Sequence, residues 1–235
     1  MAVPAYFYPY PRDRYWAQLH AAGAEVELIV ADPADGPGTR RDPNYVAAIE
    51  ATRQGGTLLV GYVTIRYGAS PVSRVIDDIE RWYAMYQVDG IFVDEVSTSA
   101  SHLHDCQVVH DRVKHMTAGT GLVFLNPGTR GPVDYMSACD VLVTNESTWA
   151  TYRDRYFQPP DWVTGYPAHR FCHLIHGCPT EREMRIALWL ARQRKAGWVF
   201  VTDHTGINAY ERLPEAAYWA SFLRLARREG DPRED

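Results

Sequence analysis

Apolar residues along the chain fall into two alternating patterns. Short runs rich in Val, Ile, Leu and Tyr occupy 3–9, 26–32, 57–64, 90–95, 121–126, 141–146, 171–176 and 198–203. Between them lie longer stretches whose apolar residues recur every three or four positions, as on one face of a helix. The eight runs are apolar on both faces, which suits strands of a parallel sheet covered by helices. The helical stretches are 13–22, 44–54, 71–87, 101–117, 180–196 and 215–228, and two shorter connections lie at 131–138 and 147–156. Start signals accompany several of them. Asp13 precedes the first, Ser70 and Pro71 open the third, Ser101 opens the fourth, and Thr180 with Glu183 forms a capping box. Eight strands, each followed by a helix or a short helical turn, predict an α/β fold, a single (β/α)8 TIM barrel of near-minimal size spanning 1–235. The competing arrangement is an open doubly wound sheet. The first strand is not followed by the glycine-rich phosphate fingerprint of its nucleotide-binding form.

Composition narrows the picture. Of the 235 residues, 46% are hydrophobic and 23% charged, so the chain can bury one sizeable core and is not expected to be disordered. The formal net charge is -5, and the one basic cluster, Arg224 to Arg228, reads as the solvated face of the last helix. No nucleic-acid partner is expected. No run of about 18 apolar residues suggests a membrane span. The opening MAVPAYFYPYPRD has neither a basic n-region nor a long apolar stretch, so a cytoplasmic location is expected, or export if a leader has been trimmed away. The cysteines, Cys106, Cys139, Cys172 and Cys178, match neither a disulfide framework nor a zinc knuckle and read as small apolar residues.

The candidate chemistry lies at the strand ends, where a barrel gathers its catalytic groups. The segment VDGIFVDEVS runs through an apolar strand and stops on adjacent acids, Asp94 and Glu95. The other strands end on Tyr8, Asp32, Tyr62 with Tyr67 beyond it, Asn126, Glu146, His176 and Asp203. A ring of carboxylates, amides and aromatics suits sugar recognition, because the polar groups bond hydroxyls and the rings pack on pyranose faces. Glycoside hydrolysis needs two carboxyl groups across the scissile bond. Strands four and six are next-nearest neighbours, about 10 Å apart before their side chains reach inward. Either hydrolytic geometry fits that gap. Asp94, Glu95 and Glu146 are therefore the candidate catalytic residues. Tyr8, Asp32, Tyr62, Tyr67, Asn126, Trp149, His176, Asp203 and Tyr210 are candidates for substrate binding. His173, His176 and His204 with Asp203 suggest a metal site at first sight. A spacing of three puts His173 and His176 on opposite faces of a strand, so neither a metal nor another cofactor is expected. Cys178 near His176 is a minor alternative nucleophile.

Several blocks together resemble the spherulin-4-like proteins, spherulation-specific family 4. They are VPAYFYP with Trp16 behind it, LIVADPADGPG followed by NYVAAI, GTLLVGYVTIRYG, VDGIFVDE, VFLNPG, HLIH and VTDHTGINAYERLPEAAYW. The resemblance implies a (β/α)8 barrel and an activity like that of glycoside hydrolases that cut α-1,4-linked galactosamine or N-acetylgalactosamine polymers. It implies that Asp94, Glu95 and Glu146 are needed for activity. The roles expected on that basis are Asp94 as nucleophile and Glu146 as general acid/base of a retaining mechanism, with Glu95 orienting the site. Strand alternation decides whether Asp94 or Glu95 points inward. Two departures stand out. Asp32-Pro33 replaces the family's Asn-Pro and adds a negative charge that favours a cationic, deacetylated sugar. Asn208-Ala209-Tyr210 replaces Asn-Pro-Tyr. The missing export signal also leaves open a biosynthetic lyase or isomerase reusing the acids, and the aromatic excess leaves open a non-catalytic carbohydrate-binding barrel.

Overall fold

A computed structural model describes residues 1–154, 158–206 and 208–227. Eight parallel strands form one sheet in sequential order: β1 (Ala2–Ala5), β2 (Leu28–Ala31), β3 (Leu58–Thr64), β4 (Gly90–Asp94), β5 (Leu122–Leu125), β6 (Val141–Thr148), β7 (Phe171–His176) and β8 (Trp198–Val201). β8 lies beside β1, and above the two strands the Tyr6 N–H donates to the Tyr210 carbonyl at 3.2 Å. The helices are α1 (Arg14–Ala22), α2 (Pro43–Gln54), α3 (Val72–Tyr86), α4 (Leu103–Met116), α5 (Trp149–Tyr152), α6 (Glu181–Gln193) and α7 (Ala216–Ala226). The chain is a (β/α)8 barrel, with a 3-10 turn, Val133–Ser137, standing in for the helix between β5 and β6.

Two of the four expected helix starts, at Asp13 and Thr180, hold, and Asp42 supplies a further cap. Asp13 accepts from the Tyr15 N–H, and Asp42 accepts from the N–H groups of Asn44 and Tyr45 ahead of Pro43. Thr180 accepts from the Glu183 N–H, and its hydroxyl donates to the Glu183 carboxylate at 2.8 Å. Two starts differ. Pro71, not Ser70, sits at the α3 cap without a side-chain bond. Ser99, not Ser101, caps a 3-10 turn, Ala100–His102, that leads into α4. The short connection at 147–156 contains α5, and its last two positions lie outside the described residues, as does Arg228 at the end of the expected last helix. Among the described residues no helix is long and apolar enough to cross a membrane.

The bore of the barrel is filled with aromatic rings. Tyr62, Phe92 and Phe124 are register partners on β3, β4 and β5, with centroids 6.5 and 6.1 Å apart, and Trp198 of β8 meets Phe124 from across the barrel at 5.8 Å. Burying each such ring contributes about 2–3 kcal/mol. Outside, Trp82 of α3 lies flat on Gly61, where an added Cβ would stand 2.4 Å from the indole. The Trp82 Nε1–H donates to the Tyr62 carbonyl at 2.7 Å. That bond fixes the backbone at Tyr62, whose side chain reaches the mouth of the barrel.

Candidate active site

Alternation decides between the two adjacent acids. Phe92 points into the bore, so Asp94, two residues on, points inward above it. Its two oxygens are both engaged. Oδ2 accepts from the Tyr62 hydroxyl at 3.0 Å, and Oδ1 accepts from Nδ2 of Asn126 at 2.7 Å. Asn126 follows directly on β5, and its N–H bonds the Val93 carbonyl at 2.8 Å, which places its amide beside Asp94.

Glu146 arrives by a different route. Val143 pairs with the inward Cys172, and Glu146 pairs with Leu174, which is also on the inward face of β7. Residues three apart on a regular strand face opposite ways. Here a β-bulge at Thr144 inserts one extra residue and returns Glu146 to the bore. Asn126 Nδ2 then donates its second proton to Glu146 Oε2 at 2.8 Å. One amide group thus bridges the two carboxylates, and the Asn126 Oδ1 is itself held by the Gly128 N–H at 2.8 Å.

Burial and the charge of Glu146 push the Asp94 carboxyl up to about 6, against the pull of the Glu95 N–H, Tyr62 and Asn126. Tyr6 and Tyr210 flank the pair. The Tyr6 ring packs edge-on against Tyr62 at 5.4 Å and Tyr210 at 5.9 Å. Burial, then the charges of Asp94 and Glu146, raises the Tyr6 phenol well above its ordinary value. The Tyr210 phenol is raised by burial and then by Glu146, and its buried hydroxyl has no hydrogen-bond partner in good geometry among the described residues. The same holds for Nδ1 of His176, a half-buried side chain lowered by burial and pulled back by Glu146. Asp203 Oδ1 is a third such atom, 3.7 Å from His204. Among the described residues, two polar atoms on the β7–β8 side of the mouth, His176 Nδ1 and Asp203 Oδ1, have no hydrogen-bond partner, and the Tyr210 hydroxyl has at best a poorly aligned one in Glu146. An unpaired buried polar group costs about 1–3 kcal/mol.

Asp32 stands one residue beyond the pair Ala31–Gly61, level with Tyr62 and facing in. Its Oδ1 accepts from the Gly36 N–H at 2.8 Å, and burial raises its carboxyl to about 6. Glu95 takes another path. Its φ of 53° is left-handed, and its carboxylate turns away from Glu146 to accept from the Thr64 hydroxyl at 2.5 Å. Tyr67 is 61% exposed on the loop beside it.

Two expected binding residues sit elsewhere. Tyr8 turns its hydroxyl to Asp42 (2.8 Å) and Asn44 (3.0 Å) at the start of α2. β1 ends at Ala5 and the chain turns after Tyr6, so Tyr6, not Tyr8, faces the acids. Alternation within Tyr6-Phe7-Tyr8 puts both tyrosines on one face only while the strand continues, and it stops short. Trp149 is buried, with its indole N–H donating to Glu183 of α6 at 3.0 Å, so it offers no ring to the mouth.

The histidines do not converge. His173 faces outward, bonded to the Tyr152 hydroxyl (2.7 Å) and Thr144 (3.0 Å), and burial, then Arg194, lowers it to about 3. His204 bonds the Leu213 carbonyl. Among the described residues no three His, Cys, Asp or Glu side chains are placed to hold a metal ion. Burial raises the Cys178 thiol to about 12, which leaves it a poor nucleophile.

Comparison with known proteins identifies the family. The model of spherulation-specific family 4 matches residues 1–226. The chain belongs to spherulation-specific family 4. Spherulin-4 of Physarum polycephalum is 27% identical over 215 residues, 86% of this chain. The match spans 63% of that relative's own length. The crystal structure of Aspergillus clavatus Sph3 in complex with GalNAc superposes with a TM-score of 0.80 at 27% identity, covering 96% of both chains. The glycoside hydrolase domain of PelA from Pseudomonas aeruginosa shares the fold at 14% identity, with a TM-score of 0.52 over 87% of this chain and 97% of that one. Within the family 4 barrel, the mouth is the face where the bridged acids, the unpaired polar atoms and the exposed ring of Tyr67 meet.

Proposed function

We propose that this protein is a glycoside hydrolase acting on glycans that contain α-linked galactosamine or N-acetylgalactosamine, by a retaining mechanism. The observation that carries the reading is the Asn126 bridge. One nitrogen lies 2.7 Å from an oxygen of Asp94 and 2.8 Å from one of Glu146, so these oxygens are separated by at most the two lengths together. These are the nearest oxygens of the two acids, and holding them within about 5.5 Å favours the roughly 5–5.5 Å carboxyl spacing of retaining pairs over the roughly 6.5 Å and more of inverting ones. The GalNAc-bound relative of similar sequence supports the sugar class.

Roles follow from the bonds. Asp94 has a donor on each oxygen, which holds an ionised carboxylate in one orientation for attack on the anomeric carbon. Glu146 is held through Oε2 by Asn126 and lies beside the Tyr210 hydroxyl, which leaves its carboxyl placed to protonate the leaving oxygen. In the first half-reaction the Asp94–carbon bond forms as the glycosidic bond breaks and Glu146 gives up its proton. In the second, Glu146 takes a proton from water as water displaces Asp94. Tyr6, Tyr210, His176 and Asp203 supply hydrogen bonds to the sugar, and Asp32 adds negative charge that favours a free amine.

Incubation with galactosamine and N-acetylgalactosamine oligomers, read by mass spectrometry, tests the activity. Shorter products are expected from the wild type. Glu146→Gln is expected to keep the fold and oligomer binding and to abolish turnover. Full activity in that variant would sink the assignment.

A further inference from the structure

Glu95 is adjacent to Asp94 and yet is bonded to a different part of the molecule. Its carboxylate accepts from the Thr64 hydroxyl at 2.5 Å, and its carbonyl accepts from the Tyr67 N–H at 2.6 Å. The Thr64 oxygen in turn accepts from the Arg66 N–H at 3.1 Å. These three bonds hold the start of the loop after β3. The loop needs holding, because Arg66 (φ 48°) and Tyr67 (φ 54°) are consecutive non-glycine residues in the left-handed region, followed by Gly68 at φ 88°. Side chains rarely adopt that conformation unless their surroundings impose it. On the far side the loop presses on the segment before α4, where a Cβ at Gly68 would stand 2.1 Å from the His102 ring. The Arg66 guanidinium adds a longer contact to Asp35 at 3.6 Å. The result is a tyrosine ring held out beside the proposed catalytic acids, more exposed among the described residues than any other large apolar side chain except Tyr10.

We propose that Glu95 is a positioning residue: through Thr64 it locks the left-handed Arg66–Tyr67 turn and so presents the Tyr67 ring as a stacking surface for a sugar unit next to the one being cleaved. The choice of ligand rests on the hydrolase reading above. The locking of the loop does not. An amino-sugar chain has alternating polar edges and apolar C–H faces, and an exposed ring at fixed height binds such a face. A carboxylate serves here as an acceptor, so an amide oxygen at the same place serves nearly as well.

Two measurements on the full chain separate this from direct chemistry by Glu95. Tryptic cleavage after Arg66 reports the order of the loop, and is expected to be about tenfold faster in Glu95→Ala and Thr64→Val than in wild type, with Glu95→Gln within about threefold of it. Steady-state kinetics on galactosamine-containing oligomers is expected to show KM raised about tenfold in Glu95→Ala and equally in Tyr67→Ala, the double variant being no worse than either. Glu95→Gln should recover most of what Glu95→Ala loses. The proposal is overturned if kcat of Glu95→Gln falls as far as that of Glu146→Gln, if Glu95→Ala leaves cleavage after Arg66 unchanged, or if the KM effects of the two alanine variants multiply. A wild-type protein that neither binds nor cleaves the oligomers overturns the hydrolase reading, and the tryptic measurement still decides whether Glu95 holds the loop.

Discussion

Asp94 is half-buried, carries donors on both oxygens and faces a second carboxylate, and these conditions pull its proton affinity in opposite directions. Burial and Glu146 win, raising it to about 6. A nucleophile has to be ionised, so kcat/KM is expected to rise with pH through an acidic limb near 6. If Asp94 were instead the proton donor, activity would fall above that pH, and a profile of that shape would reverse the two roles. Asp94→Asn keeps the size and an acceptor for Tyr62 but could not form the covalent bond of the proposed retaining mechanism, and a loss of about a thousandfold or more in kcat is expected. Removing the bridging donor with Asn126→Ala takes away one of the bonds that lower the Asp94 pKa, so the acidic limb should move to higher pH.

At the scale of elements, the strands deliver side chains to the mouth at heights set by packing behind them. Gly61 lets Trp82 lie against β3 and bond the Tyr62 carbonyl, so Gly61→Ala is expected to cost about 1–3 kcal/mol in urea denaturation and to lower turnover by disturbing Tyr62. The periodicities revealed the eight strands and most helices because both faces of each strand are covered, and the capping residues marked several starts. Asp94 and Asn126 were legible as strand ends for the same reason. Glu146 was legible as a strand-end acid, but its direction was not. The bulge at Thr144 that turns it inward leaves the local pattern Val-Thr-Asn-Glu looking like an ordinary alternation, and only pairing with β7 reveals the extra residue. Tyr8 and Trp149 misled for a similar reason. Their neighbours in sequence lie at the mouth, while their own partners, Asp42 and Glu183, are supplied by helices distant in the chain. The left-handed turn at Arg66 and Tyr67 carries no local glycine signal before Gly68, so the role of Thr64 was invisible.

For the molecule as a whole, the mouth is a site of stored cost. Asp94 and Asp32 both have folded-state values near 6 against an ordinary 3.8. The folded protein therefore holds these protons more tightly than the unfolded chain does. Their contribution is most favourable below about pH 4, diminishes as pH rises, and reaches its full penalty above about 6, at most about 3 kcal/mol for each group. Unfolding free energy from these two groups is expected to fall between pH 4 and 6.5. An Asp32→Asn/Asp94→Asn variant should be more stable than wild type at neutral pH and should lose most of that slope. Lowered carboxyls such as Asp42, Glu181 and Glu183 contribute with the opposite sign, so the test is the difference between variant and wild type by chemical denaturation. A difference that does not grow in the variant's favour between about pH 4 and 6.5 would contradict this account.

The Asn126 bridge has one more consequence. Under the retaining reading, the handedness of the product depends on how far apart two oxygens are kept, and Asn126 is the residue that spans them. On that reading it acts as a caliper: a group that never meets the anomeric carbon helps to select which face of the sugar the incoming water reaches. A longer side chain at position 126 would open the gap toward the width that admits a water molecule between acid and sugar. The acids then do not set the stereochemistry of the product by themselves, because the amide that holds their oxygens together shares in it.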